Sequence, residues 1–191
     1  LPYDDGTNGL PETDGTLTVN ATKEIVINAK DYALWAQNNS TGREGHFAKA
    51  LLKAENVKIT AGQAAIVAMS QSDVEIAGNV YIKAEDAILT RGLSKVTINE
   101  SGTGTVQMEG NLNFNYDKTT SGTGVDATVN VTLSGEDSFW KGNVLTEWGK
   151  KEEKPTEADK LVVKSVTLTL KDGAQWMATE VAQESETSQY T

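Results

Sequence analysis

Val57-Lys-Ile59-Thr-Ala61-Gly-Gln-Ala-Ala65-Ile66-Val67 is followed by Ser72-Asp-Val74-Glu-Ile76, and then the phrase starts again. The second statement reads Val80-Tyr-Ile82-Lys-Ala84-Glu-Asp-Ala87-Ile88-Leu89, then Ser94-Lys-Val96-Thr-Ile98. Val57 to Val80 is 23 residues, while Ile66 to Ile88, Val74 to Val96 and Ile76 to Ile98 are each 22. The turn after Ala84 is thus one residue shorter than the turn after Ala61, and the rest keeps step. A repeat of this period marks stacked supersecondary units. Within each unit the apolar residues alternate with charged or β-branched ones: Val57 and Ile59 with Lys58 and Thr60, Val74 and Ile76 with Asp73 and Glu75. That is the period of strands with one buried face, and no helical period is sustained. Each unit carries about three short strands. One such coil cannot bury its apolar face alone and must stack on a neighbour. The pattern predicts an all-β protein, a single-stranded parallel β-helix of about seven to eight coils at ~4.8 Å per coil. Tyr81, between Val80 and Ile82, should point outward.

Upstream, Ile25, Ile27, Ala29, Ala33 and Leu34 match Val57, Ile59, Ala61, Ala65 and Ile66, but at a spacing of 32. Taking Leu51 and Lys53 as the counterparts of Val74 and Ile76 places an insertion of nine residues within 36–50. It holds Arg43, Glu44, His46 and Phe47. Insertions in repeat proteins lie on the surface and often on the binding face. These four residues, with Tyr81, are the candidate binding residues. Residues 1–15 read as an irregular lead-in, 16–181 as the repeat domain, 149–160 as a charged excursion and 182–191 as a polar tail. After Ile98 the repeat loosens into alternating strands around Val106, Leu112, Val129 and Val166.

Composition narrows the function classes. A net charge of −10 argues against nucleic-acid binding and anionic membrane surfaces, which need basic patches. The absence of cysteine removes disulfides, thiolate metal sites and a cysteine nucleophile. No apolar run approaches the ~20 residues of a membrane span, so this segment is not expected to insert. The opening Leu1-Pro-Tyr-Asp-Asp-Gly, with no signal peptide, suggests a mature segment or a fragment.

Val166-Thr-Leu168-Thr-Leu170-Lys-Asp-Gly173-Ala174-Gln-Trp176 resembles the strand, Gly-Ala turn and Trp of autotransporter passenger domains, and Val129-Asn-Val131-Thr-Leu133-Ser-Gly-Glu-Asp-Ser-Phe-Trp140 is a looser copy. The upstream coils, with their Ala corners and Ile strands, resemble pertactin-like and adhesin-like passengers. The resemblance covers roughly 17–180. It implies a right-handed β-helix displayed outside a Gram-negative cell, either surface-bound or secreted. It implies adhesion to host glycans or proteins, or to another copy of itself. The membrane barrel of that family has no counterpart in this sequence.

β-Helices also carry polysaccharide lyases, hydrolases and tailspike-like glycan readers. Such enzymes cluster carboxylates with basic groups on neighbouring coils. The acidic pairs Asp4-Asp5, Glu85-Asp86, Glu136-Asp137 and Glu152-Glu153 have no matching acid one coil away, with Glu85-Asp86 aligned on Gly62-Gln63. His46 is the only histidine. No catalytic residue, metal site or cofactor is predicted. Trp140 and Trp176 are expected as corner residues capping the coil core. Trp35 and Tyr81 are the aromatics best placed for contact. A stalk that self-associates along matched faces is a further alternative.

Overall fold

The computed structural model describes residues 15–38, 47–114, 127–145 and 164–179. Among these there is no helix, and none therefore that could cross a membrane. Thirteen strands form one sheet: β1 Gly15–Asn20, β2 Glu24–Asn28, β3 Tyr32–Gln37, β4 Ala48–Thr60, β5 Ala64–Met69, β6 Ser72–Arg91, β7 Ser94–Ile98, β8 Val106–Phe114, β9 Ala127–Ser134, β10 Phe139–Lys141, β11 Val144–Leu145, β12 Lys164–Lys171 and β13 Gln175–Met177. Every pairing is parallel, and the sheet wraps nearly closed around the core.

The pairings resolve into three ladders. The first runs β1, the first half of β4, the start of β6, β7, β9 and β12. The second runs β2, the second half of β4, the middle of β6, the start of β8, β10 and β13. The third runs β3, β5, the end of β6, the end of β8 and β11. The chain visits the ladders in the order first, second, third, and the described residues make five such passes and begin a sixth with β12 and β13 in the first and second ladders.

The registers explain the repeat. Val57 lies opposite Val80 and Ile59 opposite Ile82, Ile66 opposite Ile88, Val74 opposite Val96 and Ile76 opposite Ile98. Equivalent aliphatics therefore stack on one another, and Ile59, Ile66, Ile76, Ile82, Ile88 and Ile98 are fully buried. Burying each such side chain contributes roughly 1.5–3 kcal/mol, and the stack supplies the core that no single pass could form. The apparent loosening after Ile98 is only a change of corner length. Val106 still sits opposite Val80, Met108 opposite Ile82 and Leu112 opposite Ile88.

Two sequence expectations are corrected. Ala50 and Leu52, not Leu51 and Lys53, lie opposite Val74 and Ile76. The register shifts between Lys53 and Asn56, where Ala54 and Glu55 face Gly78 alone. Of the nine extra residues in this pass, eight lie between Leu34 and Ala50, compared with the stretch from Ile66 to Val74, and the ninth is this irregularity. A slip of one residue exchanges the two faces of a strand, so Leu52 is 1% exposed while Lys53 faces solvent. Second, Trp140 is not a corner cap. It occupies the inward position of Ile59, Ile82 and Met108 in the second ladder and is 1% exposed. Trp176, next in that ladder, stacks on it at 5.3 Å and 9°.

The corners differ sharply. The connections from the third ladder back to the first take ten residues (38–47), two (70–71), two (92–93), twelve (115–126) and eighteen (146–163). All long connections thus begin and end at one corner.

Candidate functional site

The alternation that buries Val80 and Ile82 turns Tyr81 and Lys83 outward. The same holds for Gln107 and Glu109 around Met108, and for Phe139 and Lys141 around Trp140. Parallel register aligns these into two rows across three passes. One is Tyr81–Gln107–Phe139, the other Lys83–Glu109–Lys141. Tyr81 and Phe139 are half-buried. Lys58, one pass before Tyr81, holds its ammonium 5.5 Å from the Tyr81 ring centre. Lys83 Nζ lies 3.2 Å from Glu109 Oε2. Lys141 makes no ion pair among the described residues.

Beside these rows, at the corner leading to the third ladder, lies an open depression of about 260 Å³. Lys83, Glu85, Glu109 and Lys141 line it, with Ala84, Gly110, Gly142, Asn111 and Thr179. The corner is concave because its turning residues carry almost no side chain. A Cβ on Gly142 would stand 2.1 Å from the Gly110 carbonyl oxygen, and one on Gly110, where φ is +129°, would stand 2.4 Å from that of Ala84. Both contacts are sterically forbidden, so the backbone can close up only with glycine.

The floor is fixed by hydrogen bonds that repeat from pass to pass. The Trp140 indole donates to the Gly110 carbonyl at 2.8 Å, and the Trp176 indole to that of Gly142 at 3.0 Å. The Asn111 amide donates to the Glu85 carbonyl, and its Oδ1 accepts from the Asn143 N–H. Asn143 donates to the Thr179 carbonyl and accepts from the Thr179 N–H. Side chains thus satisfy the corner's backbone groups and hold the face rigid.

Of the residues singled out from sequence, Tyr81 lies on this face. Arg43, Glu44 and His46 lie outside the described residues. Phe47 is half-buried just before β4, at the corner between third and first ladders, on a different face from Tyr81. Trp35 is half-exposed on the outer side of the third ladder, edge-on to Tyr32 at 5.2 Å. Its indole donates to Gln37 Oε1 and the Tyr32 hydroxyl to Gln63 Oε1. Asp86 lies opposite Ala64 rather than Gln63, and its carboxylate accepts from the Asn113 amide at 3.0 Å. Asp4, Asp5, Glu152 and Glu153 are outside the described residues, among which no three potential metal ligands come together.

Sequence reasoning missed Lys83, Glu109 and Lys141 as a set. The signal was present as Tyr81-Ile-Lys83, Gln107-Met-Glu109 and Phe139-Trp-Lys141, three outward–inward–outward phrases. Their spacings of 26 and 32 hid the equivalence.

Comparison of the chain with protein-family models, with curated proteins and with solved structures found no significant match.

Proposed function

We propose that this chain is a segment of a right-handed parallel β-helix that serves as a non-enzymatic adhesion module, of the kind displayed by autotransporter passengers on the outside of a Gram-negative cell. The observation that carries this reading is the double row Tyr81–Gln107–Phe139 and Lys83–Glu109–Lys141. A rigid ladder presents aromatic, amide and charged groups at regular ~4.8 Å steps, with a depression at its edge and a hydrogen-bonded floor. Such a face suits repeated weak contacts with an extended partner, a host glycan or protein, in which valency raises the apparent affinity.

The test is incubation with a panel of host and plant polysaccharides, recording both retention and polymer length. Retention without shortening is expected. Shortening of any polymer would replace this reading with a glycan-degrading one.

A second reading is self-association, and one observation favours it. Each exposed large apolar residue lies in the first or last described strand of its ladder: Leu17, Val26, Tyr32 and Trp35 at one end, Val144, Leu170, Trp176 and Met177 at the other. Among the described residues these strands pair on one side only, and an unpaired strand edge is a pairing site. Sedimentation at rising concentration separates the two readings, since a pure adhesion module stays monomeric.

A further inference from the structure

We infer that copies of this chain stack end to end, the first pass of one copy on the last pass of another, into an open filament. The inference rests on the self-association reading above and assigns its partner, a second copy, and its geometry.

The ladders themselves show what covers such end positions. Leu17, Val144, Leu170 and Trp176 lie in inward rows, and each is between 44% and 50% exposed. Their neighbours one pass inside, Ala50, Leu112, Leu133 and Trp140, are at most 5% exposed. Extending the registers by one step puts Leu17 and Val19 of an incoming copy on Val166 and Leu168, and its Ile27 on Trp176. Apolar meets apolar in each inward row, so burial drives the contact. On the outer face of the second ladder, the exposed Val26 of the incoming copy comes diagonal to the exposed Met177.

Charge does not oppose this contact. Inside the first ladder the outward residues include Lys49, Asp73, Glu75 and Lys95. The end strands differ. β1 carries no charge and turns Thr16, Thr18 and Asn20 outward. β12 turns Ser165, Thr167 and Thr169 outward and keeps its lysines at its two ends. Charged residues and proline along an edge keep sheets from pairing. These two edges instead present hydroxyls and an amide, which can donate to and accept from one another.

Geometry selects the order. With the first pass on the last, strand direction is kept and the first and second ladders each meet their own continuation. A two-fold contact between like ends would run the strands antiparallel. With three ladders around the core, it would set only one ladder on itself and cross the other two. The end-to-end contact is therefore heterologous, and repeating it extends a filament rather than closing a dimer. In the third ladder the last described strand, β11, lies one pass before β13, so the first and second ladders carry the contact.

The experiment uses single cysteines, since the chain has none of its own. Thr18 and Thr167 are exposed members of one outward row, five steps apart. That is about 24 Å at the strand spacing, beyond the reach of a disulfide within one molecule. In the stack, Thr18 of one copy lies beside Thr167 of the next. Under mild oxidation, mixed T18C and T167C chains should form heterodimers about tenfold faster than K95C, on an inner strand, forms homodimers. The mass of the linked peptides identifies each product. The double variant T18C/T167C should give a series of multimers. L17K changes an already exposed position, so it should keep the circular dichroism of the parent and abolish its concentration-dependent sedimentation. Homodimers of T18C or of T167C that form faster than those of K95C would overturn the end-to-end order while self-association stands. So would association that L17K leaves intact, or that brings no link between Thr18→Cys and Thr167→Cys. A chain that stays monomeric at every concentration would overturn the inference and the self-association reading together.

Discussion

Trp140 and Trp176 end similar phrases, yet the first is 1% and the second 49% exposed. The difference comes from position in the ladder: Trp140 is sandwiched between Met108 and Trp176, and Trp176 is the last described member. Trp140→Ala should therefore cost about 3–5 kcal/mol in urea unfolding, and Trp176→Ala markedly less. The Gly142 position carries a sharper constraint, since a Cβ would collide with the Gly110 carbonyl. Gly142→Ala should destabilise by about 1–3 kcal/mol and lower the melting temperature. The hydroxyls of Ser72 and Ser94 point the other way. Both are buried without a hydrogen-bond partner, and the equivalent positions in the passes on either side are Ala48 and Ala127. Ser94→Ala should be neutral or stabilising by about 1 kcal/mol, because it removes a desolvated polar group where a methyl already fits elsewhere. None of these contrasts is legible in local sequence. A glycine fixed by a carbonyl some 30 residues away looks like any turn glycine.

Elements built on strict alternation were legible. The strands around Val57, Val74, Val80 and Val96 stand where the sequence places them because inward aliphatics and outward charges leave one register. β4 was misread in its first half. Its run Ala48-Lys-Ala50-Leu51-Leu52-Lys53 holds two adjacent leucines, so composition alone does not choose the face. The choice is made by the irregularity at Ala54 and Glu55, which lets both halves of the strand stay inward-facing. Substitution separates the two registers. Leu52→Lys should cost more than about 3 kcal/mol by burying a charge and emptying a core site, and Leu51→Lys should be tolerated. Equal sensitivity of both in chemical denaturation would contradict the observed register. The candidate face was half legible for the same reason: Tyr81 stood out in a regular strand, and its row-mates Gln107 and Phe139 were hidden by irregular corners.

At the scale of the whole molecule the core is a set of ladders in which each strand pairs only with its equivalents in the adjacent passes, so stability is largely local and passes on by contact. Among the described residues, the first and last strands of each ladder have a neighbour on one side only. Amide hydrogen exchange should be slowest in β5 and the β6 segments around Ile76, Ile82 and Ile88, and fastest in β1 and β13, whose residues are mostly exposed. Uniform protection along the stack would argue against this nearest-neighbour picture. The period could be read only where corners were short, and the folded chain shows why: ladders dictate what the strands must be and say nothing about corner length. One corner has been left especially free. Between third and first ladders the chain spends two residues at Ser70-Gln71 and at Gly92-Leu93, and eighteen at 146–163, while the same rows of aliphatics continue past. That edge is a mounting rail. A foreign peptide spliced in at either two-residue turn should be carried as cargo without renegotiating the interior, so the scaffold can take on new specificities by lengthening one edge alone.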